Sequence, residues 1–261
     1  MQSNFNLPMS KLTQEHLKNI KIICFDCDGV TVEKGTEIIE APGQTLIKTN
    51  KLSDQMLQKL LKLKKYFHLT FSSGRSMLYL TQMYGDVLWD NASLQSEIGT
   101  FILYQGELIQ NNKFSNYELN VIKNIRQDLS KLSKNNKLVL GFEPKQFLTT
   151  LHCHQSIPEV EKIVKYNDPQ SEFYCWWNQE AYDISPARIT KGTGLQKLVN
   201  ILELNMNNVA TVGNGINDKN MTDVVGIDIS TDQEHLKADF VAIGEHLGGE
   251  IVIDKLLSLL E

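Results

Sequence analysis

The sequence predicts an α/β fold in which helices cover both faces of a doubly wound parallel sheet. Three short runs rich in apolar residues, at 21–26, 67–72 and 208–213, predict strands of this sheet. Amphipathic helical patterns at 53–66 and 191–204 lie between them in the chain. Nearly continuous apolar strands that alternate with amphipathic helices are typical of parallel sheets buried on both sides.

Composition limits the class of protein. The chain has 261 residues, 41% of them hydrophobic, which is enough for a large core domain with a smaller companion. The formal net charge is −5 and there is no long basic run, which argues against nucleic acid as a partner. The sequence shows neither a signal-peptide pattern nor 18 consecutive apolar residues, so we expect a cytoplasmic protein that does not enter membranes. Its four cysteines are too scattered for a disulfide-stapled fold, and we expect reduced thiols.

Each predicted strand is followed by polar or small residues. The first strand leads into Asp26, Asp28 and Gly29, the second into 72–75, and the third into 213–218. The carboxyl ends of parallel strands meet at one edge of the sheet, where such sheets bind ligands. We therefore expect the three polar clusters to converge on one site.

The pair of Asp26 and Asp28 is the most informative of these clusters. Carboxylates two residues apart repel each other, and proteins keep them together mainly where a metal, a shared proton or a reacting group uses them. One carboxylate can attack as a nucleophile while the other, on the same side of the strand, transfers protons. Gly29 lets the backbone turn sharply and a ligand approach closely. A plain Asp-Gly turn is the alternative interpretation.

The other clusters favour an anion and a metal. The segment "SSGRS" at 72–76 offers hydroxyl and amide groups at a helix start, which bind anions, although an ordinary helix cap has the same composition. Lys191 lies in the first turn of a predicted helix, where a positive charge opposes the helix dipole and so suggests an anionic partner. Asn214, Asn217 and Asp218 supply oxygen atoms of the kind that Mg²⁺ accepts.

A structural zinc site is an alternative with little support. Cys24 and Cys27 form C-x-x-C, but Cys24 lies inside a predicted buried strand and no second C-x-x-C completes the site. His152 and His154 share one face of a predicted strand and are candidate ligands together with Cys175. A closed set of four ligands is not evident in either case.

The pattern changes to short alternating strands and two helical segments between 103 and 185. This predicts an α+β cap inserted into the core, so that 1–102 and 186–261 form the core and 103–185 form the cap. Several cap residues are candidates for substrate recognition without assigned roles: Lys145, His152, His154, Trp176, Trp177 and Asn178.

Taken in order, "DCDGV", "SSGR", "ITKG" and "GNGIND" resemble the four motifs of the haloacid dehalogenase superfamily of phosphatases. Their order, strand-end placement and spacing agree with that superfamily over nearly the whole chain from Ile20 onward. The insert matches the cap position of the Cof-like, sucrose-phosphate and trehalose-phosphate phosphatase branch. The segment "YDISPARITKGTGLQKL" resembles the one by which that branch returns to its core.

The resemblance implies a Mg²⁺-dependent phosphatase that hydrolyses a small phosphorylated metabolite, for which a sugar phosphate is the leading choice. Asp26 would form an aspartyl phosphate, and Asp28 would protonate the leaving oxygen and then deprotonate water. Ser73 would hold a phosphoryl oxygen, and Lys191 would offset negative charge. The remaining expected roles are Mg²⁺ ligation by Asp26, Asp28, Asn214 and Asp218, and substrate binding by Gly74, Arg75 and Asn217.

The sequence departs from the family pattern at Asn214, where the family usually has a metal-binding Asp. Asparagine keeps a carbonyl oxygen but removes one negative charge, so we expect weaker Mg²⁺ binding. Two alternatives stay open on this evidence: a phosphomutase of the same superfamily, and a catalytically weak protein that binds a phosphorylated metabolite. The sequence does not indicate the oligomeric state.

Overall fold

The computed structural model describes residues 6–41 and 43–261. Its strands are β1 (Leu7–Pro8), β2 (Ile22–Asp26), β3 (Thr36–Ala41), β4 (Gln44–Thr49), β5 (His68–Ser72), β6 (Ala92–Ser96), β7 (Phe101–Tyr104), β8 (Glu107–Gln110), β9 (Val139–Glu143), β10 (Thr149–Cys153), β11 (Phe173–Trp177), β12 (Ala181–Pro186), β13 (Val209–Gly213), β14 (Ile227–Ser230) and β15 (Phe240–Val241). Its α-helices are α1 (Gln14–Leu17), α2 (Asp54–Leu63), α3 (Met77–Tyr84), α4 (Asn116–Asn135), α5 (Pro158–Asn167), α6 (Lys191–Ile201), α7 (Lys219–Thr222) and α8 (Gly248–Leu260).

The described residues cluster into two compact units. The first unit comprises the described parts of Met1–Gly35, Asn50–Asn111 and Thr190–Glu261, and the second comprises those of Thr36–Thr49 and Asn112–Ile189. None of the helices within 6–41 and 43–261 is both long and apolar enough to cross a membrane.

The first unit is built on a sheet in the order β1-β15-β14-β13-β2-β5-β6-β7-β8. Neighbouring strands run parallel from β1 to β6, while β7 and β8 extend the sheet in antiparallel fashion. Every residue of β2, β6 and β13 is buried. Helices on both faces require this apolar pattern, and the predicted α/β class is confirmed.

Helix α6 packs against one face of this sheet. Leu195 and Val199 of α6 form a buried cluster with Ile22 and Cys24 of β2 and with Val209 of β13. The strands β13, β2 and β5 are adjacent in the sheet, so their carboxyl ends lie side by side. The residues after these three strands are the polar clusters that the sequence places at one edge.

The second unit contains an antiparallel sheet in the order β11-β12-β10-β9, together with α4 and α5. Ile125 of α4 and Val160 of α5 pack with Leu151, Tyr182 and Ile184 of the sheet in one apolar core. The side chains of 151, 182 and 184 point to the helices because alternate residues of a strand face opposite sides. The remaining face of this sheet carries polar residues.

The compact units differ from the predicted domain boundaries at three places. Residues 103–111 belong to the first unit, because β8 turns back through Gln105 and Gly106, both with positive φ, and pairs with β7. Residues 186–189 belong to the second unit. The hairpin of β3 and β4 also clusters with the second unit, where β3 contacts β9. A hairpin pattern does not reveal which sheet it joins, since strand pairing decides that.

Candidate active site

The turn after β2 brings two carboxylates to the edge of the sheet. The carbonyl of Cys27 accepts hydrogen bonds from the amides of Val30, Thr31 and Val32, which closes the turn tightly. Gly29 has φ +75°, and a Cβ there would stand only 2.7 Å from Nδ2 of Asn214. Glycine is therefore required at position 29 both for its conformation and for the close approach of the neighbouring loop.

Lys191 links two of these loops from the first position of α6. Its side chain is 1% exposed, and its Nζ donates to Oδ1 of Asp26 at 2.6 Å and to Oδ1 of Asp218 at 2.6 Å. Burial alone would lower the pKa of Lys191, but the charges of Asp218 and Asp26 outweigh burial and raise it above its ordinary value. The lysine is thus charged inside the protein and holds the loops after β2 and β13 together.

The carboxyl of Asp26 is almost fully buried. Burial raises its pKa above the ordinary value, and the nearby charge of Asp218 acts in the same direction. The ammonium of Lys191 lowers the pKa and so opposes both effects. A carboxylate placed in this way is poorly solvated and tied to a cation, which suits a nucleophile that attacks an anionic phosphoryl group.

Asp28 forms a two-point ion pair with Arg75. Nε of Arg75 donates to Oδ2 of Asp28 at 3.0 Å, and a terminal guanidinium nitrogen donates to Oδ1 at 2.6 Å. The Arg75 side chain is 7% exposed and that of Asp28 is 34% exposed, so the carboxyl faces solvent from a buried support. In this structure Arg75 pairs with Asp28, the predicted proton donor. The expected contact of Arg75 with substrate stays a prediction.

The loop after β5 is held by the loop after β6. The amide of Ser73 donates to the carbonyl of Gln95, and the amides of Ile98 and Glu97 donate to the carbonyls of Ser73 and Arg75. Glu97 and Ile98 both adopt positive φ. Oγ of the buried Ser73 accepts the Arg75 amide at 3.2 Å, and Gly74 lies between them without a side chain.

The loop after β13 is closed by Asp218. Oδ2 of Asp218 accepts hydrogen bonds from the main-chain amides of Asn214 at 2.9 Å and Gly215 at 3.0 Å. Oδ1 of Asp218 accepts a hydrogen bond from Nζ of Lys191. Nδ2 of Asn214 donates to the main-chain carbonyl of Asp28 at 2.8 Å. Asn217 is half-buried in the short 3₁₀ turn Ile216–Asp218 of the same loop. Direct contacts therefore join the loops after β2 and β13.

Several oxygen atoms at this edge of the sheet are of the kind that the expected Mg²⁺ binds. A carboxylate oxygen of Asp26, the carbonyl of Asp28 and the amide oxygen of Asn214 are hard oxygen donors that suit this ion. Both oxygens of Asp218 accept hydrogen bonds from protein donors, so Asp218 anchors the loop in this structure, and its role as a metal ligand stays a prediction. In the described ranges no group of three or more His, Cys, Asp or Glu side chains is arranged to hold a metal. The site thus fits Mg²⁺ in the kind of donor, with one carboxylate from Asp26 and neutral oxygens from the Asp28 carbonyl and Asn214.

A buried hydroxyl pair beneath the turn after β2 has no signal in the sequence. The hydroxyl of Tyr84, at the end of α3, lies 2.7 Å from Oγ1 of Thr31. Thr31 Oγ1 lies 3.4 Å from the carbonyls of both Asp26 and Cys27. The Tyr84 ring stacks on Phe71 of β5 with 4.0 Å between ring centroids. Tyr84 looks like an ordinary apolar position of a helix, so only the structure connects it to the site.

In the second unit, polar side chains form a connected cluster on the sheet face that lacks helices. Oε2 of Glu143 lies 3.0 Å from Nζ of Lys145 and 3.3 Å from Nε2 of His152. Lys145 donates to Oγ1 of Thr150 at 2.7 Å, which donates to Oδ1 of Asp183 at 2.6 Å. Burial would raise the pKa of Glu143, but Lys145 and His152 outweigh burial and lower the pKa to about 2.

The other cap candidates divide between this cluster and the apolar core. Nδ2 of Asn178 donates to Asp183 at 3.3 Å. Trp176 pairs in register with Asp183 and so faces the polar side, whereas Trp177 packs toward the helices, with its ring 4.9 Å from that of Tyr182. His154 is exposed.

Comparison with known proteins adds to this geometry. Residues 126–236 match the family model of haloacid dehalogenase-like hydrolases, and this segment includes Lys191, Asn214 and Asp218. The matched segment is less than half of the chain, so it indicates a likeness to that family over residues 126–236. No curated protein sequence matches the chain significantly.

Solved structures share the fold of this chain over nearly its whole length. A haloacid dehalogenase-like hydrolase from Bacteroides thetaiotaomicron has 15% identity and a TM-score of 0.63, with 91% of this chain and 99% of that chain covered. Trehalose-6-phosphate phosphatase from Aspergillus fumigatus has 16% identity and a TM-score of 0.59, with 97% of each chain covered. At these identities the likeness shows a shared fold.

Proposed function

We propose that this protein is a hydrolase of the haloacid dehalogenase type, which removes the phosphoryl group from a small phosphorylated metabolite through an aspartyl-phosphate intermediate on Asp26. The observation that carries the proposal is the ammonium of Lys191, which is buried and bonded to Asp26 in a site that also contains Arg75. Phosphoryl transfer depends mainly on positioning and on neutralising spread negative charge. Two fixed cations beside a buried carboxylate meet both needs.

In the proposed reaction, a carboxylate oxygen of Asp26 attacks phosphorus and the bond to the leaving oxygen breaks. Asp28 gives its proton to that leaving oxygen, and then accepts a proton from the water that attacks the aspartyl phosphate. Ser73 and the amide of Gly74 would bind a phosphoryl oxygen, and Asn217 would contact the phosphate from the loop after β13. Arg75 would keep its two-point contact with Asp28, and so orient this carboxyl for proton transfer while adding positive charge near the phosphate.

Mg²⁺, held by Asp26, the Asp28 carbonyl and Asn214, would supply further positive charge to the phosphoryl oxygens. The chain's own residues provide the nucleophile, the acid and two cations without it. We therefore expect Mg²⁺ to accelerate turnover. Because Asn214 carries no charge, we expect Mg²⁺ to bind more weakly than at a site with aspartate at position 214.

A sugar phosphate is the proposed substrate class because of the polar cluster in the second unit. One face of this sheet carries hydrogen-bond donors and acceptors in alternation, from Glu143, Lys145, Thr150 and Asp183. Oε1 of Glu143 and Oγ of Ser185 are buried and have no hydrogen-bond partner within the described residues. Several hydroxyl groups on one ligand would satisfy such atoms, and buried polar groups usually require partners.

The test is phosphate release from a panel of sugar phosphates, nucleotides and aryl phosphates, measured with Mg²⁺ and with a chelator. We expect turnover that is fastest on a sugar phosphate and lost in Asp26→Asn. A protein that binds the same esters without releasing phosphate would instead support the weak-binding alternative, which Asn214 favours. Transfer of the phosphoryl group to another sugar position would indicate a mutase.

A further inference from the structure

Asn214 makes a contact that an aspartate at the same position would be unable to make. Its Nδ2 donates to the main-chain carbonyl of Asp28 at 2.8 Å, and this bond joins the loop after β13 to the turn after β2. A carboxylate has acceptor atoms alone, so it offers no N–H to this carbonyl. The link depends on the amide.

The surroundings of this contact are rich in negative charge. Asp218 accepts the main-chain amide of Asn214 at 2.9 Å, and the carboxylates of Asp26 and Asp28 belong to the adjoining turn. A carboxylate at position 214 would stand against a carbonyl oxygen and near three other acids. Without a cation between them, these groups would repel one another.

We infer that the Asn214 side chain takes the place of a divalent cation as the link between these two loops, so that the site is organised without metal and binds Mg²⁺ weakly. Mg²⁺ at this site would be held by the amide oxygen of Asn214 and by the Asp28 carbonyl, both of which are hard oxygen donors. For that, the Asn214 amide must give up its bond to Asp28 and turn its oxygen inward. Metal binding therefore competes with a hydrogen bond that is already formed.

The inference goes beyond the proposed hydrolysis, because it concerns how this site keeps its shape at low Mg²⁺ concentration. With a carboxylate at position 214, the bridge of Lys191 between Asp26 and Asp218 would remain, but the contact of position 214 with the Asp28 carbonyl would form only through a cation. Order at this contact and metal occupancy would then be linked. In the natural protein, the order of the loops does not depend on metal occupancy. The loops stay in place in a chelator, and the anion-binding groups stay with them.

The experiment compares the natural protein with Asn214→Asp by calorimetric Mg²⁺ titration and by thermal unfolding, in a chelator and in excess Mg²⁺. Neither readout uses substrate, so a failure of the proposed hydrolysis does not affect the result. Asn214→Asp should melt about 2–4 °C lower than the natural protein in the chelator. Mg²⁺ should restore this loss in the variant while moving the natural protein little, and the variant should bind Mg²⁺ about tenfold or more tightly.

Two further variants control the comparison. Asn200→Asp makes the same change at an exposed position of α6, and its melting temperature should match the natural protein with and without Mg²⁺. Asn214→Ala removes the donor without adding charge, so it should melt lower in the chelator and gain nothing from Mg²⁺. The inference is overturned if Asn214→Asp is as stable as the natural protein in the chelator, or if the natural protein binds Mg²⁺ as tightly as the variant.

Discussion

Nζ of Lys191 donates to Oδ1 of Asp26 at 2.6 Å across 165 positions of the chain. The bond joins the first residue of α6 to the last residue of β2, and both side chains are buried. A buried ion pair is costly to break because the partner left behind keeps an unpaired charge in a poorly solvated place. This relationship therefore links the stability of the core to the proposed chemistry.

Lys191→Met should abolish turnover and lower the free energy of unfolding by about 3–5 kcal/mol, since it leaves Asp26 and Asp218 facing each other without a cation. Urea unfolding and an assay with a simple phosphate ester measure the two effects. Adding Asp218→Asn to Lys191→Met should recover part of the stability but none of the turnover. Recovery of both would show that the lysine acts only on the fold.

Arg75→Lys should lower kcat by about tenfold or more, because lysine keeps the charge but loses the two-point contact that orients Asp28. Esters with poor leaving groups should lose more than activated aryl phosphates, since they depend more on protonation by Asp28. Arg188→Lys is a matched control, because Arg188 makes a similar two-point pair with Glu118 in the second unit. An equal loss on all esters would count against the orienting role of Arg75.

Tyr84→Phe should lower kcat several-fold, because it removes the hydroxyl that meets Thr31 under the nucleophile turn while the ring still stacks on Phe71. The free energy of unfolding should fall by about 1 kcal/mol for the lost hydrogen bond. Tyr182→Phe removes a buried hydroxyl in the second unit and should cost similar stability with unchanged turnover on a simple ester. If both variants keep full activity, Tyr84 has no positioning role.

A pair of acids at β14 and β15 should make stability depend on pH. Burial raises the pKa of Asp228 to about 7, and the hydrogen bond and charge of Asp239 act in the same direction. The unfolded value is about 3.9, so between about pH 4 and 7 the folded protein binds more protons and the free energy of unfolding falls as pH rises. Since the pair is partly exposed, we expect a contribution of about 1–2 kcal/mol.

Asp228→Asn removes this titration, and its amide can donate to Asp239 while its oxygen accepts the Asp239 amide as before. The variant should therefore be more stable than the natural protein at pH 8 and similar to it at pH 4, as measured by urea unfolding. Asp86→Asn, at an exposed position, should change neither value. A variant that is less stable at both pH values would contradict the assignment.

The sequence predicts the parallel core and the meeting of three loops because strand periodicity and strand-end residues are local features. Asp26, Asp28, Lys191 and Asn214 do converge, as parallel topology requires. The turn at Gln105 and Gly106 is local and predicts a hairpin, but sheet membership is not local. The sequence therefore does not predict that β7 and β8 join the core sheet through β6, or that β3 contacts β9.

Side-chain partners are equally hard to predict. Metal binding by Asp218 and substrate binding by Arg75 stay predictions, and the protein partners that the structure shows for both residues have no signal in the sequence. Lysine and arginine pair with whichever acidic side chain the fold brings near them. Differences of a few ångströms decide which acid that is, and the sequence does not contain these distances. Tyr84 and Thr31 carry no motif at all, and their contact arises only when α3 packs against the turn after β2.

The most direct test of the proposed mechanism is to look for the phosphoryl group on Asp26 itself. Asp28→Asn, mixed with an aryl phosphate and quenched in acid, should accumulate the aspartyl phosphate, because deprotonation of the attacking water is slowed. Reduction with borohydride followed by peptide mass spectrometry should place the modification on residue 26, and Asp26→Asn should show none. Turnover without any adduct at residue 26, retained in Asp26→Asn, would contradict the central claim.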